Sequence, residues 1–308
     1  MLKRFLVATA LVSAGLFSVP AHAQSFITYV GRTGDNTNNC SMPTSPCATL
    51  QGAHDQTAIN GLILCLDAVN TGSLLITKSL DIDCTGTQAG VKGGSVGDQA
   101  KTAQVVINVA VNANDPKKLV RLRGLSLNGA NVVNRGISIV SASAVFLENV
   151  VVSDFTEQGI LDRRPGGPTK LFIKDSIVSN SGIGIALGSQ GPNTNLFDNV
   201  ALEYNSYGIA AGNGNNVVIN RSVMSGNSIA GVEGDGGAQL VVNNSVISHN
   251  STGVQSNSSV RLFSNEISFN STAITGASAS LGQNRFSGNS ALGTAPTPVA
   301  GASANIGP

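Results

Sequence analysis

The sequence predicts an all-β fold, a right-handed parallel β-helix solenoid whose short strands form three parallel sheets. Two observations predict this fold: a repeat of 19 to 26 residues, and columns of apolar residues at fixed places within the repeat. The composition is a third, because aromatic residues make up 4% of the chain and tryptophan is absent. A core of stacked aliphatic side chains fits this composition better than a large core built on aromatic packing.

The repeat is defined by one pattern that recurs from Val120 onward. Apolar residues occupy its first, third and eighth places, and its sixth place serves as a register mark. The marks fall at Leu125, Val150, Ser176, Val200, Ser222, Ser245, Asn265 and Asn284. Successive marks are 25, 26, 24, 22, 23, 20 and 19 residues apart. Such a period is typical of a coiled array of strands and not of a helical hairpin repeat.

Two apolar columns flank the mark in every repeat. The first, two places after the mark, contains Leu127, Val152, Val178, Leu202, Met224, Ile247, Ile267 and Phe286. The second, three places before it, contains Leu122, Leu147, Ile173, Phe197, Ile219, Val242, Leu262 and Leu281. Since only 41% of the chain is hydrophobic, an unbroken run of apolar residues in both columns indicates that they face the core.

Two further columns define the bends. A glycine followed by a β-branched residue begins the last strand of each coil, as at Gly136-Ile137 and Gly159-Ile160, and predicts a third strand per coil. Asparagine recurs five places after the mark, at Asn205, Asn227, Asn250, Asn270 and Asn289. An asparagine at a repeated bend can bond its own backbone and the asparagine of the next coil. The sequence therefore predicts an asparagine ladder.

The amino terminus reads as a secretory signal peptide over residues 1–23. Lys3 and Arg4 precede an apolar stretch, and Ala21-His22-Ala23 is a small-residue cleavage site, so we expect cleavage after Ala23. No later segment has the 18 or so continuous apolar residues that a membrane span needs. We therefore expect a secreted or periplasmic protein without a membrane span.

Four cysteines lie in the first third of the chain, at Cys40, Cys47, Cys65 and Cys84. An even number in an exported chain indicates disulfides, and three pairings are possible. The preferred pairing joins Cys40 to Cys47 within a loop and Cys65 to Cys84 one coil apart. No metal site is expected, because the surrounding sequence does not supply zinc-ligand spacing.

The expected organisation has three parts after the signal peptide. Residues 24–60 form a disulfide loop and a cap, with a short amphipathic helix within 49–57 that covers the open end of the coils. Residues 61–290 form the β-helix of about 11 coils, three of them less regular and placed between Gly61 and Val111. Residues 291–308, rich in alanine, glycine, serine and proline, are expected to be a flexible tail.

Several motifs extend this pattern into a family resemblance. They are Tyr29-Val30, Gly34-Asp35, Cys40, Pro46-Cys47-Ala48-Thr49-Leu50 and Ile76-Thr77-Lys78-Ser79-Leu80-Asp81-Ile82. With the glycine and asparagine columns, they resemble bacterial right-handed β-helix repeat proteins of the pectate-lyase-like superfamily, over nearly all of the mature chain. The resemblance implies the fold but not one function, because relatives include polysaccharide lyases, hydrolases, epimerases, copper-pathway periplasmic proteins and secreted proteins of unassigned function.

A lyase of this superfamily would need a calcium ion held by carboxylates, and a basic residue, on the sheet of the glycine columns. The outward residues there are Ser138, Leu161, Ala186, Ala210, Glu233, Gln255 and Thr275, with one carboxylate among them. Calcium is therefore expected only if the protein is lyase-like, and no other cofactor is evident.

The neighbouring sheet offers a better candidate for binding. Arg123, Glu148, Lys174 and Asp198, each two places before a mark, alternate in charge over four coils. They form either a ladder of solvent-facing ion pairs or, around Lys174, a contact for a sugar hydroxyl or a proton.

An apolar stripe runs beside the charged residues and includes Phe146 and Phe172. Either a loop covers the stripe, most simply the insertion at residues 163–168, or the two rings stack on sugar faces. A charged cluster near that insertion contains Asp154, Glu157, Asp162, Arg163 and Arg164. From it come the catalytic candidates Asp162 and Arg163, with Lys174 as the third.

These observations favour an exported, monomeric protein that binds extracellular or cell-envelope polysaccharide or other glycan, through Phe146, Glu148, Phe172, Lys174 and Asp198. Catalysis is not evident from the sequence. The alternatives are a polysaccharide lyase or hydrolase, and an envelope scaffold that binds protein through the apolar stripe. Nucleic acid is not an expected partner, because the net charge is +1 and no basic stripe interleaves with aromatic residues.

Overall fold

The computed structural model describes residues 24–92, 95–98, 101–188 and 191–299. The predicted signal peptide, and residues 300–308 of the predicted tail, lie outside the described residues. Within them the chain is a right-handed parallel β-solenoid, as the sequence predicts, and it has about ten coils where about 11 were expected. Its core is one continuous stack of buried aliphatic side chains along the axis.

The described strands are numbered in chain order. They are β1 (Ser25–Val30), β2 (Thr57–Cys65), β3 (Asn70–Thr71), β4 (Leu74–Ile76), β5 (Leu80–Asp83), β6 (Ala89–Val91), β7 (Val96–Asp98), β8 (Lys101–Asn108), β9 (Leu119–Arg123), β10 (Leu125–Asn128), β11 (Arg135–Ser141), β12 (Ala144–Glu148), β13 (Val151–Ser153), β14 (Gln158–Asp162), β15 (Lys170–Ser179), β16 (Ile183–Leu187), β17 (Asn193–Glu203), β18 (Tyr207–Ala211), β19 (Asn215–Asn220), β20 (Val223–Ser225), β21 (Ala230–Gly234), β22 (Gln239–Asn243), β23 (Val246–Ser248), β24 (Thr252–Phe263), β25 (Glu266–Ser268), β26 (Thr272–Ser280), β27 (Arg285–Ser287), β28 (Ala291–Gly293) and β29 (Thr297–Pro298). One α-helix, α1 (Leu50–Gln56), and one 3₁₀ turn (Val109–Val111) complete the described elements.

The strands form three parallel sheets, which we name A, B and C. Sheet A contains β1, β2, β5, β9, β12, β19, β22, β29, the first parts of β15 and β17 and the last parts of β24 and β26. Sheet B contains β3, β6, β10, β13, β20, β23, β25, β27 and the last parts of β15 and β17. Sheet C contains β4, β8, β11, β14, β16, β18, β21, β28 and the first parts of β24 and β26. The hairpin β7–β8 is antiparallel and extends from sheet C.

The predicted inward columns are confirmed with one exception. The column from Leu127 to Phe286 pairs residue by residue along sheet B. The column from Leu122 pairs along sheet A as far as Leu262, but Leu262 then pairs with Ser280 and not with Leu281. The step from Asn265 to Asn284 is the shortest, at 19 residues, so the sheet A strand before Asn284 is displaced by one residue and the small, buried Ser280 occupies the inward place.

Two positions per coil hold the bends in the left-handed backbone region. One lies just before the mark, as at Asn149 (φ 52°) and Asn199 (φ 55°), and the other lies four places after it, as at Asn180 (φ 50°). Asparagine, aspartate and glycine tolerate this conformation better than other residues. These paired left-handed residues explain how strands of only three residues in sheet B turn into the next sheet.

The predicted asparagine ladder is confirmed. Asn205 accepts a hydrogen bond from the backbone N–H of Ser181, and the same bond joins Asn227 to Asn205, Asn250 to Asn227 and Asn270 to Asn250. Each of these asparagines is at least 98% buried. A second ladder runs through the marks, where Ser222, Ser245, Asn265 and Asn284 bond the preceding coil in the same way. Buried backbone groups at both bends are thereby satisfied.

The amino end is closed by the predicted cap. Thr49 is the N-cap of α1, and its hydroxyl accepts a hydrogen bond from the N–H of Gly52 at 3.0 Å. Leu50 and Ala53 of the helix are buried against the first coil. The preferred disulfides are also confirmed: Cys40 pairs with Cys47, and Cys65 pairs with Cys84 across neighbouring coils.

Two boundaries differ from the prediction. The region from Gly61 to Val111 contains two coils and not three, because its second coil includes an additional strand, β7, that pairs antiparallel with the start of β8. At the carboxyl end, β28 and β29 pair with β26, so the solenoid continues past residue 290 into the predicted tail. Backbone bonds from Thr294 N–H to Ile274 and from Val299 N–H to Ser280 hold this last coil despite its weak strand pattern.

Candidate functional site

The outer face of sheet A carries two parallel rows of side chains. The apolar row contains Phe146, Phe172, Leu196, Val218 and Val241, and the polar row contains Arg123, Glu148, Lys174, Asp198, Asn220 and Asn243. Each row advances by one residue per coil, because the strands pair in register. We call these two rows together the sheet A face.

The aromatic part of the apolar row is a stack. The rings of Phe146 and Phe172 are nearly parallel, with centroids 4.8 Å apart, and the guanidinium of Arg121 lies 4.6 Å from the Phe146 centroid on the other side. Both rings are half-buried. The faces of Phe146 are therefore occupied by its neighbours, and the row offers ring edges and aliphatic groups to a ligand rather than free ring faces. This arrangement corrects the expectation that the Phe146 ring face is open to a sugar.

The amino-terminal end of this face is a charge network. Arg121 lies 3.6 Å from Asp81, and Arg123 bonds Asp83 at 2.8 Å and lies 3.4 Å from Glu148. Burial raises the pKa of the Asp83 carboxyl, but hydrogen bonds from Thr85 and Arg123 outweigh it and leave the pKa below its ordinary value. The predicted ion pair between Arg123 and Glu148 is present. This network fixes the end of the face.

In the middle of the polar row, the ion pairs do not simply join oppositely charged residues of neighbouring coils. Lys174 stands between Glu148 and Asp198 in register, as predicted, but its ammonium lies 3.3 Å from Asp175, the next residue. Asp198 is bonded by Arg221 and, at 2.8 Å, by Asn220. The Lys174 side chain is 52% exposed and the Glu148 side chain 45% exposed. Both retain hydrogen-bonding capacity toward solvent, which a ligand hydroxyl can use.

Asp175 joins the polar row to the adjacent bend. The side-chain amide of Asn199 donates a hydrogen bond to its carboxylate at 2.7 Å, and this bond and Lys174 hold the pKa of Asp175 below its ordinary value. A shallow cavity of about 280 Å³ opens beside it, lined in part by Ile177, Arg221 and Val223. The polar surface therefore continues from sheet A around the bend.

The predicted catalytic residues are not brought together. Asp162 lies in β14 of sheet C, whereas Lys174 lies in the sheet A part of β15. Asp162 is fully buried, and its carboxylate accepts hydrogen bonds from two side-chain nitrogens of Arg164, one of them at 2.8 Å, and from the Arg164 backbone N–H at 3.2 Å. Arg164 also donates to the carbonyls of Ala142 and Lys170. The pair anchors the insertion, and the buried carboxylate is closed to a substrate.

Arg163 occupies a different surface. Its Nε lies 3.4 Å from the hydroxyl of Ser138 on sheet C, and burial lowers the pKa of its guanidinium. The rest of the insertion, from Pro165 to Pro168, is exposed and lines a cavity of about 310 Å³ with Lys118 and Ser143. The insertion therefore lies at the start of the sheet A strands, and Phe146 and Phe172 keep their exposure.

A groove on sheet C adds a carboxylate that the sequence analysis did not single out. Leu161, Ala186 and Ala210 line its small-residue floor, and Glu233 and Asp235 lie together at one end of a cavity of about 230 Å³. Burial, and then the nearby charge of Asp235, raise the pKa of Glu233. Asp235 lies two places after Glu233, outside the column that directly follows each glycine and β-branched pair. Strand alternation applied once more would have found it.

The described part of the chain contains no group of three or more His, Cys, Asp or Glu residues arranged to hold a metal ion. Among the same residues, no helix is both long and apolar enough to cross a membrane.

Comparison with known proteins identifies the architecture. A family model described as "Right handed beta helix region" matches residues 135–291. Pectate lyase Pel9A has 15% identity and a TM-score of 0.61, over 88% of this chain and 78% of that one. XylC, in complex with xylose, has 9% identity and a TM-score of 0.53, over 84% and 68%. No curated protein matches the sequence. At these identities the two structures show a shared fold and nothing finer.

Proposed function

Since this chain belongs to the right-handed β-helix family, its coils form a rigid scaffold, and we propose that it is an exported protein that binds extracellular or cell-envelope carbohydrate on the sheet A face. One observation carries the proposal: an apolar row and a hydrogen-bonding row run side by side, in register, over five coils. A sugar chain has the matching character, because its apolar C–H groups alternate with hydroxyls along its length.

The chemistry of the face supports this assignment. The stacked rings of Phe146 and Phe172 supply apolar contact that is already ordered, so little side-chain entropy is lost on binding. Glu148 and Lys174 place an acceptor and a donor beside them. A pectate lyase and a protein crystallised with xylose share the fold, which agrees with a saccharide ligand. Two disulfides agree with export to an oxidising compartment.

A panel of immobilised polysaccharides, followed by titration calorimetry with the best ligand, tests the proposal. The substitutions Phe172→Ala and Lys174→Ala are each expected to weaken binding about tenfold, or about 1.4 kcal/mol. Phe26→Ala is the control, because Phe26 is an exposed aromatic residue at the far amino end of the stack. Wild-type binding that both sheet A variants retain would exclude this face, and capture of a protein in place of any glycan would favour a scaffold function.

Glycan hydrolysis is a second candidate, and the Glu233–Asp235 pair favours it. A half-buried carboxyl with a raised pKa, beside a second carboxylate, is the pairing that a general acid needs. We expect release of reducing ends from a bound polysaccharide, lost in Glu233→Gln and retained in Glu266→Gln on sheet B. Activity that survives Glu233→Gln excludes this groove, and products with unsaturated ends would indicate a lyase.

A further inference from the structure

The bend between sheets B and C carries an exposed aromatic column away from the sheet A face. It consists of Tyr204, His249 and Phe269, each four places after a mark, with glycine in the intervening and following coils at Gly226 and Gly288. Tyr204 is 70% exposed and Phe269 is 60% exposed. We call these three rings the bend column.

The backbone of the bend column is strained at Tyr204 and Phe269. Tyr204 and Phe269 both have φ of 55°, in the left-handed region that bulky residues avoid. Elsewhere this place holds Asp154, Asn180 or glycine, which adopt that conformation at little cost. Two large apolar side chains thus occupy places where both the backbone and the solvent disfavour them. Local strain that persists in this way is a recognised mark of a functional surface.

The rings are also held in place. A side-chain carbon on Gly226 would lie 2.9 Å from the Tyr204 ring, and one on Gly288 would lie 2.5 Å from the Phe269 ring. Each ring therefore lies over the bend glycine of the following coil. His249 stacks on Phe269, with ring centroids 5.4 Å apart. The column is an ordered surface although it is exposed.

Serine rows lie on both sides of the bend column. The sheet C side carries serines that are exposed or half-buried, namely Ser206, Ser228, Ser251, Ser271 and Ser290. The sheet B side carries Glu203, Ser225, Ser248, Ser268 and Ser287, of which Ser248 and Ser268 are buried. Glu203 is the one charged residue in these two rows. A narrow line of rings beside a row of accessible, uncharged hydroxyls on the sheet C side suits an uncharged, extended ligand that has apolar faces and hydroxyl edges. Strand spacing of about 4.8 Å sets the repeat of the surface, close to the length of one pyranose unit.

We propose that the bend column is a binding site for a neutral oligosaccharide, separate from the sheet A face. This proposal does not rest on the proposed function, because the two surfaces lie on different edges of the solenoid and share no residue.

The double substitution Tyr204→Asn and Phe269→Asn tests it, with cellohexaose and xylohexaose as the probes. Asparagine tolerates the left-handed backbone, so the melting temperature is expected to stay the same or rise while affinity falls at least tenfold. Unchanged affinity in this variant overturns the proposal, and so does a wild-type protein that binds neither probe.

Tyrosine fluorescence supplies a readout that does not depend on stability. The chain has three tyrosines and no tryptophan, so a ligand on the column is expected to change the Tyr204 emission. Tyr204→Phe keeps the ring and should retain binding without that change. An emission change of undiminished size in Tyr204→Phe shows that the ligand does not contact Tyr204 and contradicts the proposal. Phe172→Ala on sheet A should leave binding at the column intact, which distinguishes failure of the two sites.

Discussion

Asn250 shows how single buried side chains hold the coils together. Its side-chain oxygen accepts hydrogen bonds from Asn227 in the preceding coil, and its amide donates to the carbonyl of Met224 and to Asn270 in the following coil. The residue is 2% exposed. A side chain that cannot make these bonds leaves a buried N–H and a buried carbonyl without partners.

Asn250→Ala is therefore expected to lower the free energy of unfolding by about 3 kcal/mol, measured by urea denaturation. Asn180→Gly is the control, because Asn180 is exposed and glycine accepts its left-handed backbone; we expect a change within about 0.5 kcal/mol. Equal losses in the two variants would show that the ladder contributes no more than an ordinary bend.

His54 couples the amino-terminal cap to pH. Its ring is buried, with Nδ1 2.9 Å from Asp55 and Nε2 accepting the N–H of Thr77 at 3.2 Å. Burial lowers the pKa of His54 below its ordinary 6.5; nearby Lys78 acts in the same direction, and Asp55 opposes both. Protonation would replace the acceptor at Nε2 with a donor and remove the bond to Thr77.

Because the folded pKa is the lower one, the unfolded chain binds the proton first as pH falls. We expect full stability from His54 above pH 6.5 and a progressive loss below it, toward the lowered pKa of the folded protein. Melting temperature measured as a function of pH, in wild type and His54→Gln, checks this. A slope between pH 7 and pH 5 that is identical in both proteins would assign the acid sensitivity to other groups.

At the scale of elements, the insertion between β14 and β15 shows that a cluster of charged residues can stabilise a loop and need not form a binding site. The sequence placed five charged residues near it and suggested a polar site, yet the structure uses Asp162 and Arg164 as a buried anchor. Burial of a charged pair depends on how the loop folds back over Ala142, and no residue pattern in one sequence reports that. The two left-handed bend positions per coil could not be predicted for a related reason. Tyr204, Arg221 and Phe269 occupy three of them, although such residues rarely adopt a positive φ.

Removal of one partner of the Asp162–Arg164 pair should strongly lower the stability of the protein. Arg164→Met leaves the Asp162 carboxylate buried and unpaired, at an expected cost of about 3–5 kcal/mol in unfolding free energy. The double variant Asp162→Leu and Arg164→Met should recover most of that loss, because it removes both charges. Denaturant titration of the three proteins gives the comparison; a double variant no more stable than Arg164→Met would mean that the pair does more than satisfy its own charges.

For the whole molecule, the periodic parts of the chain were predictable and the irregular parts were not. The inward columns and the asparagine ladder follow from spacing, because each coil must repeat the same contacts with the next. The observed disulfides are the preferred pairing among the three that the sequence allows. Three features departed from prediction, each where the repeat length changes. They are the place of Leu281, the number of early coils and the strands that follow residue 290. The rows of the sheet A face were predictable for the same reason as the core. The ion-pair partners of the charged residues were not, since Lys174 pairs with its sequence neighbour Asp175.

The regular spacing of the coils also sets how long a ligand on the sheet A face can be. If a glycan lies along the sheet A face, each added sugar meets another coil until the rows from Phe146 to Val241 end, about 20 Å along the axis. The measurement that tests this most directly is calorimetric affinity for one saccharide series of increasing length. The affinity should rise with each unit and level off once the ligand spans the five coils. Affinity that is independent of length, or absent throughout the series, would contradict binding along the sheet A face.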